Sequence, residues 1–465
     1  MRMTLAEIGA AMQAVGEYEA LGDLEMTMVQ TDSRLVEAGD LFVCLPGERF
    51  DGHQFAGEAV QKGAAAVVAE RPLEDMHLDA PVLLVQSCLR AVGRLAATWR
   101  AAFCGTVIAV TGSAGKTSVK EFLASALEQA GAGEVGRNFK NWNNQLGVPL
   151  SMLGFNGREA FWVLEAGVNY SGEMDILGGI IQPDIAVIHN VGPVHLEGFK
   201  TVRGVAEEKA ALLSHLRAEG RAVISSDYPE LSEAAGKYAP GRTVRFSLKD
   251  ATAAYFGEYL GPSEHGGGRY RLELLGREAE VCLGYSGGFL LENILAAAAS
   301  ACELGVNPEA VSRGLERAEL PEHRCRLQQC GRFLIVDDCY NANPMSMRQA
   351  VSMAREAARG EPFWAVLGDM KELGEGASAE HEELGRYLAE QGLTRVFFIG
   401  EHVEDVRRGF AETAQADRVR EIASEADLAR EMERLGLEGG TVLIKGSRGC
   451  RMERFVQALA GGFGP

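Results

Sequence analysis

The apolar residues of this chain fall into short runs that alternate with stretches of helical spacing. Short apolar runs bounded by turn residues are typical of strands, and apolar positions three and four residues apart are typical of helices. In the first hundred residues, the pattern predicts strands at 41–46, 64–70 and 81–86 and helices at 54–62 and 89–102. This segment is therefore predicted to be a small α/β unit.

Two later parts of the chain repeat the alternation of strands and helices. Their strands are continuously apolar and are followed by polar residues, which is typical of parallel sheets with a site at the carboxyl edge. Right-handed crossovers between such strands would give a doubly wound sheet in the last part. The predicted strands are 107–110, 161–167 and 184–190 in the middle part, and 333–338, 363–369, 395–400 and 441–446 in the last part.

A different pattern occurs within the middle part. Segments 243–248, 270–275 and 280–285 alternate polar and apolar residues, and the glycine-rich turn 261–268 separates two of them. Period-two alternation is typical of strands with one solvated face. We expect these segments to form a small antiparallel addition.

The whole pattern predicts an α/β protein of three domains, since 465 residues exceed what one core holds. The predicted domains are 1–104, 105–320 and 321–465, with a linker at Leu320 and Pro321. We expect a small N-terminal α/β domain, a central parallel-sheet domain of the phosphate-loop type and a Rossmann-like C-terminal domain.

Composition restricts the class of protein. No apolar run is long enough to predict a membrane span, and nine cysteines without a C-x-x-C pair predict reduced, mostly buried thiols. The N-terminal segment carries acids where a signal peptide would be apolar, so we expect a cytoplasmic protein. We also expect a monomer. The net charge of −19 argues against nucleic-acid binding. An anionic ligand would need local cations, for which the candidates are Arg34, Lys116, Lys209, Arg324, Lys445 and Arg448.

Residues 106–130 form the most informative stretch, a predicted strand followed by a glycine turn and a helix. The turn at 112–117 has the form G-x-x-G-K-T, shorter than the usual phosphate loop because Val110 occupies the first glycine position. Its glycines permit N–H groups to face one point, Lys116 adds a charge, and Thr117 offers a hydroxyl to Mg²⁺. The stretch predicts a nucleoside triphosphate site, with an ordinary glycine turn as the alternative. The predicted buried face of the helix comprises Val119, Phe122, Leu123, Ala126 and Leu127.

Side chains at the predicted strand ends suit a divalent cation. Hard cations take oxygen ligands and an occasional imidazole. Thr117, Glu165 at the end of its strand and His195 beyond 184–190 offer such atoms, although each alone has an ordinary structural alternative. Composition alone favours a solvated helix lysine at Lys209, which follows two glutamates.

Three further segments are rich in polar residues: 31–55, 139–150 and 337–347. The asparagines of 139–150 could bind polar groups of a substrate or form turns, and both alternatives are open. In 337–347, Asp338 is a candidate for a ribose hydroxyl and Ser346 for capping the next helix.

The motifs between Thr31 and Arg451 occur in an order that resembles one enzyme family. They resemble the Mur ligases of peptidoglycan synthesis, and the last motifs resemble the branch that adds D-alanyl-D-alanine. The DNPR motif expected of a diaminopimelate-adding member is absent. The motifs are GSAGKTSVKE, KNWNNQLGVPL, LEAGVNYSGEMDIL, HNVGPVHLEGF, ENILAAAAS, DDCYNANPMSM, LGDMKELG and KGSRG.

The resemblance implies ATP and Mg²⁺ as cofactors, and UDP-N-acetylmuramoyl-tripeptide and D-alanyl-D-alanine as substrates. It implies that Lys116, Glu165, His195 and Lys209 are catalytic, with Lys209 carbamylated, which reverses the compositional interpretation. The implied nucleotide-binding residues are Gly112, Ser113, Ala114, Gly115, Lys116, Thr117, Asn293 (adenine), Arg324 (phosphates) and Asp338 (ribose). The implied metal ligands are Thr117, Glu165, His195 and Lys209. The implied substrate-binding residues are Ser33 and Arg34 for the UDP part, and Asn143 and Asn144 for the muramoyl-peptide part.

One position departs from the family pattern. Many relatives have glycine before the arginine that enters the third domain, whereas this chain has His323 before Arg324. Two other functions stay open. One is a related ATP-dependent amide ligase of the folylpolyglutamate or cyanophycin synthetase type, and the other is a nucleotide-dependent binding or switch protein.

Overall fold

A four-stranded parallel sheet forms the first part of the chain. The computed structural model describes residues 3–16, 23–47, 50–73, 76–264, 267–412 and 415–461. The sheet has the order β1-β2-β3-β4, and its strands are β1 (Val29–Gln30), β2 (Leu41–Val43), β3 (Ala66–Ala69) and β4 (Val82–Leu84). The helices are α1 (Leu5–Met12), α2 (Ala56–Gln61) and α3 (Cys88–Ala102). Three of the strands and two of the helices are those predicted from the sequence.

The middle part contains a six-stranded parallel sheet in the order β10-β9-β8-β5-β7-β6. Its strands are β5 (Thr106–Thr111), β6 (Val135–Arg137), β7 (Phe161–Glu165), β8 (Ile185–Ile188), β9 (Arg221–Ser225) and β10 (Thr243–Phe246). Its helices are α4 (Lys116–Gln129), α5 (Gly147–Gly154), α6 (Glu173–Ile181), α7 (Leu196–Phe199), α8 (Val202–Ala210), α9 (Pro229–Tyr238), α10 (Leu290–Glu303) and α11 (Pro308–Glu316). The central position of β5 places the glycine turn at the middle of the carboxyl edge.

The antiparallel addition exists, but its predicted membership was partly wrong. Its strands are β11 (Tyr255–Pro262), β12 (Gly268–Leu274) and β13 (Arg277–Leu283). The predicted segment 243–248 instead forms β10, which pairs in parallel with β9. One face of β10 is partly solvated, with Arg245 exposed beside buried Phe246, so its period-two pattern resembles that of an antiparallel strand. The predicted turn 261–268 joins β11 to β12, and its residues 265 and 266 lie outside the described residues.

The last part contains a second six-stranded sheet, in the order β14-β15-β19-β16-β17-β18. Among the described strands of this sheet, only β14 runs antiparallel to its neighbour. The strands are β14 (Arg326–Cys330), β15 (Phe333–Asp337), β16 (Phe363–Gly368), β17 (Arg395–Ile399), β18 (Val419–Glu421) and β19 (Gly440–Lys445). The helices are α12 (Pro344–Ala357), α13 (Ala377–Glu390), α14 (Val403–Ala411), α15 (Glu425–Leu435) and α16 (Glu453–Gly461). Short 3₁₀ turns lie at Ser33–Leu35, Gly52–Phe55, Ala211–His215, Gly374–Gly376, Ala416–Arg418 and Arg448–Cys450.

Burial agrees with the sequence pattern in the parts that position the site. The predicted apolar face of α4 is fully buried. All nine cysteines are free thiols, and five of them are buried. No helix among the described residues is both long and apolar enough to cross a membrane.

Buried Arg100 joins the first part of the chain to the central sheet. It lies at the end of α3 with a side chain that is 1% exposed. Its guanidinium donates to the carbonyls of Ile181 and Gln182 and, at 2.8 Å, to Asp184 Oδ2. A buried cation is tolerated when its donors are satisfied in this way.

Helix α4 is held in place by a close contact with α11. Ser125 Oγ donates to the carbonyl oxygen of Gly314 at 2.6 Å. A Cβ atom at position 314 would lie 2.4 Å from the Cα atom of Ala126. Only glycine therefore allows the two helices to approach this closely.

We predict that Gly314→Ala lowers the free energy of unfolding by about 1–3 kcal/mol, the usual cost of overpacking. Chemical denaturation of the full chain measures this. The matched control is Gly236→Ala, because Gly236 lies in α9 with no atom within 4 Å of an added Cβ. Alanine there should raise stability by about 0.4–1 kcal/mol through helix propensity. Equal effects of the two substitutions would contradict the packing argument.

Candidate active site

A cavity of about 410 Å³ lies at the carboxyl edge of the central sheet and is closed on one side by the C-terminal domain. Most of the residues predicted for the site line it. They are Ser113, Ala114, Gly115, Lys116, Thr117, Asn143, Asn144, Glu165, His195, Asn293, Arg324 and Asp338. The predicted residues that do not line it are Gly112, Lys209, Ser33 and Arg34.

The glycine turn needs both of its glycines. Gly115 has a φ of +84° and precedes α4 as its N-cap. A Cβ atom added at Gly115 would lie 2.4 Å from the side chain of Asn293. A Cβ atom added at Gly112 would lie 2.3 Å from the ring of His189. The turn therefore packs directly on these two side chains, and the first amides of α4, which lack intrahelical partners, are directed at the cavity.

Asn190 fixes the conformation of the turn from below. Its Oδ1 atom accepts hydrogen bonds from the backbone N–H groups of Ser113 at 2.8 Å and Ala114 at 3.1 Å. Its Nδ2 group donates to Glu292 Oε2 at 2.9 Å. Glu292 lies in α10, 6% exposed, and burial raises the pKa of its carboxyl to about 7.

Lys116 extends along the turn that precedes it. Its Nζ atom donates to the carbonyl oxygen of Gly112 at 2.9 Å. Burial lowers the pKa of Lys116, and the nearby carboxylate of Glu165 acts in the opposite direction. The ammonium group is thus kept beside the turn, where a phosphate would lie.

Glu165 is the most constrained acid of the site. Its Oε2 atom accepts from Thr117 Oγ1 at 2.6 Å, and its Oε1 atom accepts from Asn143 Nδ2 at 2.7 Å. Asn138 holds its backbone through two hydrogen bonds of 2.9 Å, one to the N–H and one to the carbonyl. The residue is 2% exposed, so its carboxylate has a fixed direction beside the hydroxyl of Thr117.

His195 meets a residue from the other domain. Its Nδ1 atom lies 2.6 Å from Oε2 of Glu372, which belongs to the motif LGDMKELG. Both residues have left-handed backbones, with φ of 48° and 65°. Non-glycine residues in this conformation cost free energy and concentrate at functional positions.

Lys209 lies behind the cavity and is 1% exposed. Burial, followed by repulsion from Lys116, lowers its pKa well below the usual value. The neighbouring Glu208 is engaged elsewhere, since its carboxylate accepts from the N–H groups of Gly172 and Met174. The compositional interpretation of Lys209 as a solvated helix residue was therefore wrong.

The C-terminal domain contributes the opposite wall. Lys445, with a side chain that is 3% exposed, is paired with the carboxylate of Asp338. The guanidinium of Arg324 stacks 4.2 Å from the centre of the Tyr340 ring, and that of Arg448 lies 5.7 Å from it. Four of the six candidate cations, including Lys116, thus lie around this interface.

A direct contact joins the two walls at the turn. Asn343 Nδ2 donates to the carbonyl oxygen of Ser113 at 3.4 Å. Asn343 is also the N-cap of α12, whereas Ser346, the predicted cap, completes a capping box from the third helical position. The correction follows from chain geometry, because Pro344 fits the first helical position, so the residue before it, Asn343, is the N-cap.

The remaining predicted residues have structural partners. Asn144 Oδ1 accepts from the N–H groups of Leu146 and Gly147 and so forms a turn before α5. Ser33 Oγ donates to Glu58 Oε2 at 3.1 Å, away from the cavity. The Arg34 side chain is 80% exposed and pairs with Asp32 at 2.6 Å.

Position 323 explains the departure from the family pattern. His323 has a φ of 64°, a conformation that suits glycine, and its Nδ1 atom lies 2.8 Å from Asp337 Oδ2. The contact with Asp337 compensates for the backbone cost. Arg324 consequently still lines the cavity.

Sequence reasoning missed the residues that act through others. Asn138 lies two residues before the motif KNWNNQLGVPL, Asn190 is the second residue of HNVGPVHLEGF and Glu292 is the first of ENILAAAAS. Only their contacts reveal their roles. The sequence signals available were the polar residues directly after β8 and the paired acid and amide at the start of α10. Glu372 lies in the motif LGDMKELG, which contributes to the family resemblance but predicts no role for this glutamate.

Fold and site together define a phosphate-loop nucleotide-binding protein whose cavity is completed by a second α/β domain. Three family models match the chain in order: "Mur ligase family, catalytic domain" over 25–100, "Mur ligase middle domain" over 110–301 and "Mur ligase, glutamate ligase domain" over 323–448. The chain belongs to the Mur ligase family.

Curated relatives match over almost the full length. A UDP-N-acetylmuramoyl-tripeptide–D-alanyl-D-alanine ligase from Escherichia coli (strain K12) is 34% identical over 96% of both chains. One from Bacillus subtilis (strain 168) is 31% identical over 93% of this chain and 92% of the relative.

Solved structures agree with these relatives. MurF from Acinetobacter baumannii superposes with a TM-score of 0.88, at 30% identity and 99% coverage of both chains. MurF ligase from Thermotoga maritima in complex with ADP has a TM-score of 0.82, at 30% identity, covering 94% of this chain and 97% of that one. The predicted family and fold class are thereby confirmed.

We predict that the buried carboxyl of Glu292 makes stability depend on pH. The folded state holds its proton more tightly than the unfolded chain, because the pKa rises from 4.5 to about 7 on folding. The free energy of unfolding should therefore fall as pH rises from about 4.5 to 7, by up to about 3 kcal/mol. Glu292→Gln should lack this component while keeping the acceptor for Asn190.

Denaturation of both proteins at several pH values measures the difference. Glu433→Gln, a change at an exposed glutamate, is the control and should follow the unmodified protein. A difference between the unmodified protein and Glu292→Gln that does not change with pH would contradict the prediction.

Proposed function

We propose that this chain is an ATP-dependent amide ligase that joins D-alanyl-D-alanine to UDP-N-acetylmuramoyl-tripeptide in peptidoglycan synthesis. The products would be UDP-N-acetylmuramoyl-pentapeptide, ADP and phosphate. The observation that carries the proposal is the full-length similarity to ligases with this name, 34% identity over 96% of the E. coli enzyme. The phosphate loop and the cavity between two domains provide independent physical support.

The chemistry explains why such a cavity is needed. A carboxylate does not acylate an amine at neutral pH, because its oxygen is a poor leaving group. Transfer of the γ-phosphoryl group of ATP to the tripeptide carboxylate gives an acyl phosphate and ADP. The amine of D-alanyl-D-alanine then forms the amide bond, phosphate leaves, and one proton passes to solvent. The protein has to bring anions together and to exclude water.

The phosphate loop carries the electrostatic part of the proposal. Lys116 and the amides at the start of α4 would stabilise the transferring phosphoryl group. Gly112, Ser113 and Ala114 would shape the loop, and Asn190 holds it in the observed conformation. Because Lys116 is partly buried beside the loop, its charge acts in a medium of low polarity.

The donor atoms at the carboxyl edge suit Mg²⁺. The hydroxyl of Thr117 and the carboxylate of Glu165 lie 2.6 Å apart and supply the hard oxygen atoms that this ion prefers. Thr117 and Glu165 would hold one Mg²⁺, and a carbamylated Lys209 would help to hold a second. His195 is the fourth proposed metal ligand. When bound, Mg²⁺ would neutralise phosphate charge during transfer.

The other substrate contacts follow the positions of the predicted residues. Asn293 packs on Gly115 and would contact adenine, Arg324 the phosphates, and Asp338 the ribose. Asn143, already bonded to Glu165, and Asn144 lie where the muramoyl-peptide would approach the metal. Ser33 and Arg34 lie apart from the cavity, which suits a role with the distant UDP end of a long substrate. A cytoplasmic monomer stays a prediction.

Substrate tests separate this proposal from the alternatives. Phosphate release should need UDP-N-acetylmuramoyl-tripeptide and D-alanyl-D-alanine together, and neither should suffice alone. Release with a folate and glutamate instead would favour a folylpolyglutamate-type ligase. ATP binding without any amine-stimulated release would indicate a switch protein.

We predict that Lys116→Ala lowers kcat by at least about 10²-fold, the scale of losing one preorganised charge contact. Phosphate release with both peptide substrates measures this. Lys237→Ala removes an exposed lysine on α9 and should leave kcat unchanged. Near-normal ligation by Lys116→Ala would remove the loop from the mechanism.

We predict that Lys209→Ala is inactive and recovers in part with added short carboxylic acids. The substitution removes the proposed carbamate and leaves a space in which a small carboxylate can replace it. Activity is measured with and without formate or acetate. Full activity without either acid would show that the modification is unnecessary, and Lys237→Ala with the same acids controls for non-specific effects.

A further inference from the structure

Three metal-ligand side chains meet beyond the carboxyl end of β15, just outside the cavity. His323 lies in the segment before β14, Asp337 ends β15, and Cys339 follows two residues later. Their ligand atoms all lie within 4.8 Å of one another. In the part of the chain that the structure describes, no other group of three His, Cys, Asp or Glu side chains meets this criterion.

The pairing of β14 with β15 brings these residues together. Arg326 lies opposite Asp337 in this antiparallel pair. Backbone pairing continues past the strand ends, since the N–H group of Tyr340 donates to the carbonyl oxygen of His323 at 3.2 Å. The backbone pairing therefore holds His323, before β14, next to Asp337 and Cys339 at the end of β15.

The backbone directs the imidazole of His323 to this point at a cost. His323 and Cys325 both have left-handed backbones, with φ of 64° and 50°. Left-handed conformations cost a non-glycine residue roughly 1–2 kcal/mol. The imidazole is nevertheless held with Nδ1 2.8 Å from Asp337 Oδ2.

We propose that His323, Asp337 and Cys339 bind one zinc ion, or another borderline transition-metal ion, as a site separate from the nucleotide cavity. A thiolate, an imidazole and a carboxylate are ligands that zinc takes in proteins, whereas Mg²⁺ is a hard cation that does not favour a thiolate. Three protein ligands leave a fourth position for water.

Burial and access are compatible with binding. Cys339 and Asp337 are 1% and 2% exposed, so the site is shielded from water on one side. The side chain of His323 is 27% exposed and gives the ion a path from solvent. Zinc bonds of about 2.0–2.3 Å place ligand atoms roughly 3–4 Å apart, so the side chains need to move by about 1 Å or less.

Protons and charge balance in a simple way. The Cys339 S–H bond breaks, its proton passes to buffer, and a Zn–S bond forms. His323 binds through Nδ1 and keeps a proton on Nε2. Thiolate and carboxylate then neutralise the charge of the ion.

Cobalt(II) tests the site in the full-length protein without nucleotide, because it reports thiolate ligation by an absorption band. We expect one equivalent of Co²⁺ to produce a thiolate charge-transfer band, and Zn²⁺ to displace it. His323→Gly and Cys339→Ala should each abolish the band and weaken Zn²⁺ binding by at least about 100-fold. Glycine suits the backbone at 323, so this variant should fold even if Cys339→Ala does not.

His215→Asn is the matched control. His215 Nε2 lies 2.7 Å from Asp175 Oδ1, so the two form a histidine–aspartate pair like that of His323 and Asp337. Among the described residues, this pair belongs to no group of three metal-ligand side chains. Its removal should leave the band unchanged. Absence of a thiolate band, or a band that persists in folded His323→Gly, would overturn the proposal. Ligase activity does not enter this test, so its outcome is independent of the proposed function.

Discussion

The position of one buried carboxylate organises the site. Glu165 is 2% exposed at the end of β7, and its two oxygen atoms are held by Thr117 from the phosphate loop and by Asn143 from the next segment. A desolvated charge is stable only while such partners remain. The constraint therefore links the start of α4, the sheet edge and the asparagine-rich segment into one rigid unit, on which the other contacts of the cavity depend.

A chain with a net charge of −19 has to concentrate its cations to accept a triphosphate. It does so at the junction of two domains, with Lys116 on one wall and Arg324, Lys445 and Arg448 on the other. Asn343 and Glu372 cross this junction to Ser113 and His195. The cavity is consequently a property of the domain arrangement as well as of the residues that line it.

Sequence reasoning predicted what depends on local pattern. The phosphate loop, the strands that end at the cavity and the buried face of α4 all follow from residues close together in the chain. Contacts between residues that are distant in the chain had no such local signal. Asn190 contacts the loop across a sequence separation of 77 residues, and it contacts Glu292 across a separation of 102 residues. The segment 243–248 was misassigned because β10 has one partly solvated face, which gives it the same period-two pattern as an antiparallel strand. Lys209 was misjudged from composition because its burial arises only when the helix packs.

The direction of β14 has a consequence for how lineages of such proteins can vary in length. Because this strand runs opposite to its neighbour, the segment that enters the C-terminal domain emerges at the same edge as the cavity. An inserted or deleted residue there would shift Arg324 along the cavity wall. The connection between α13 and β17 lies at the opposite edge of the sheet, away from the cavity. An insertion or deletion there would not displace the cavity residues.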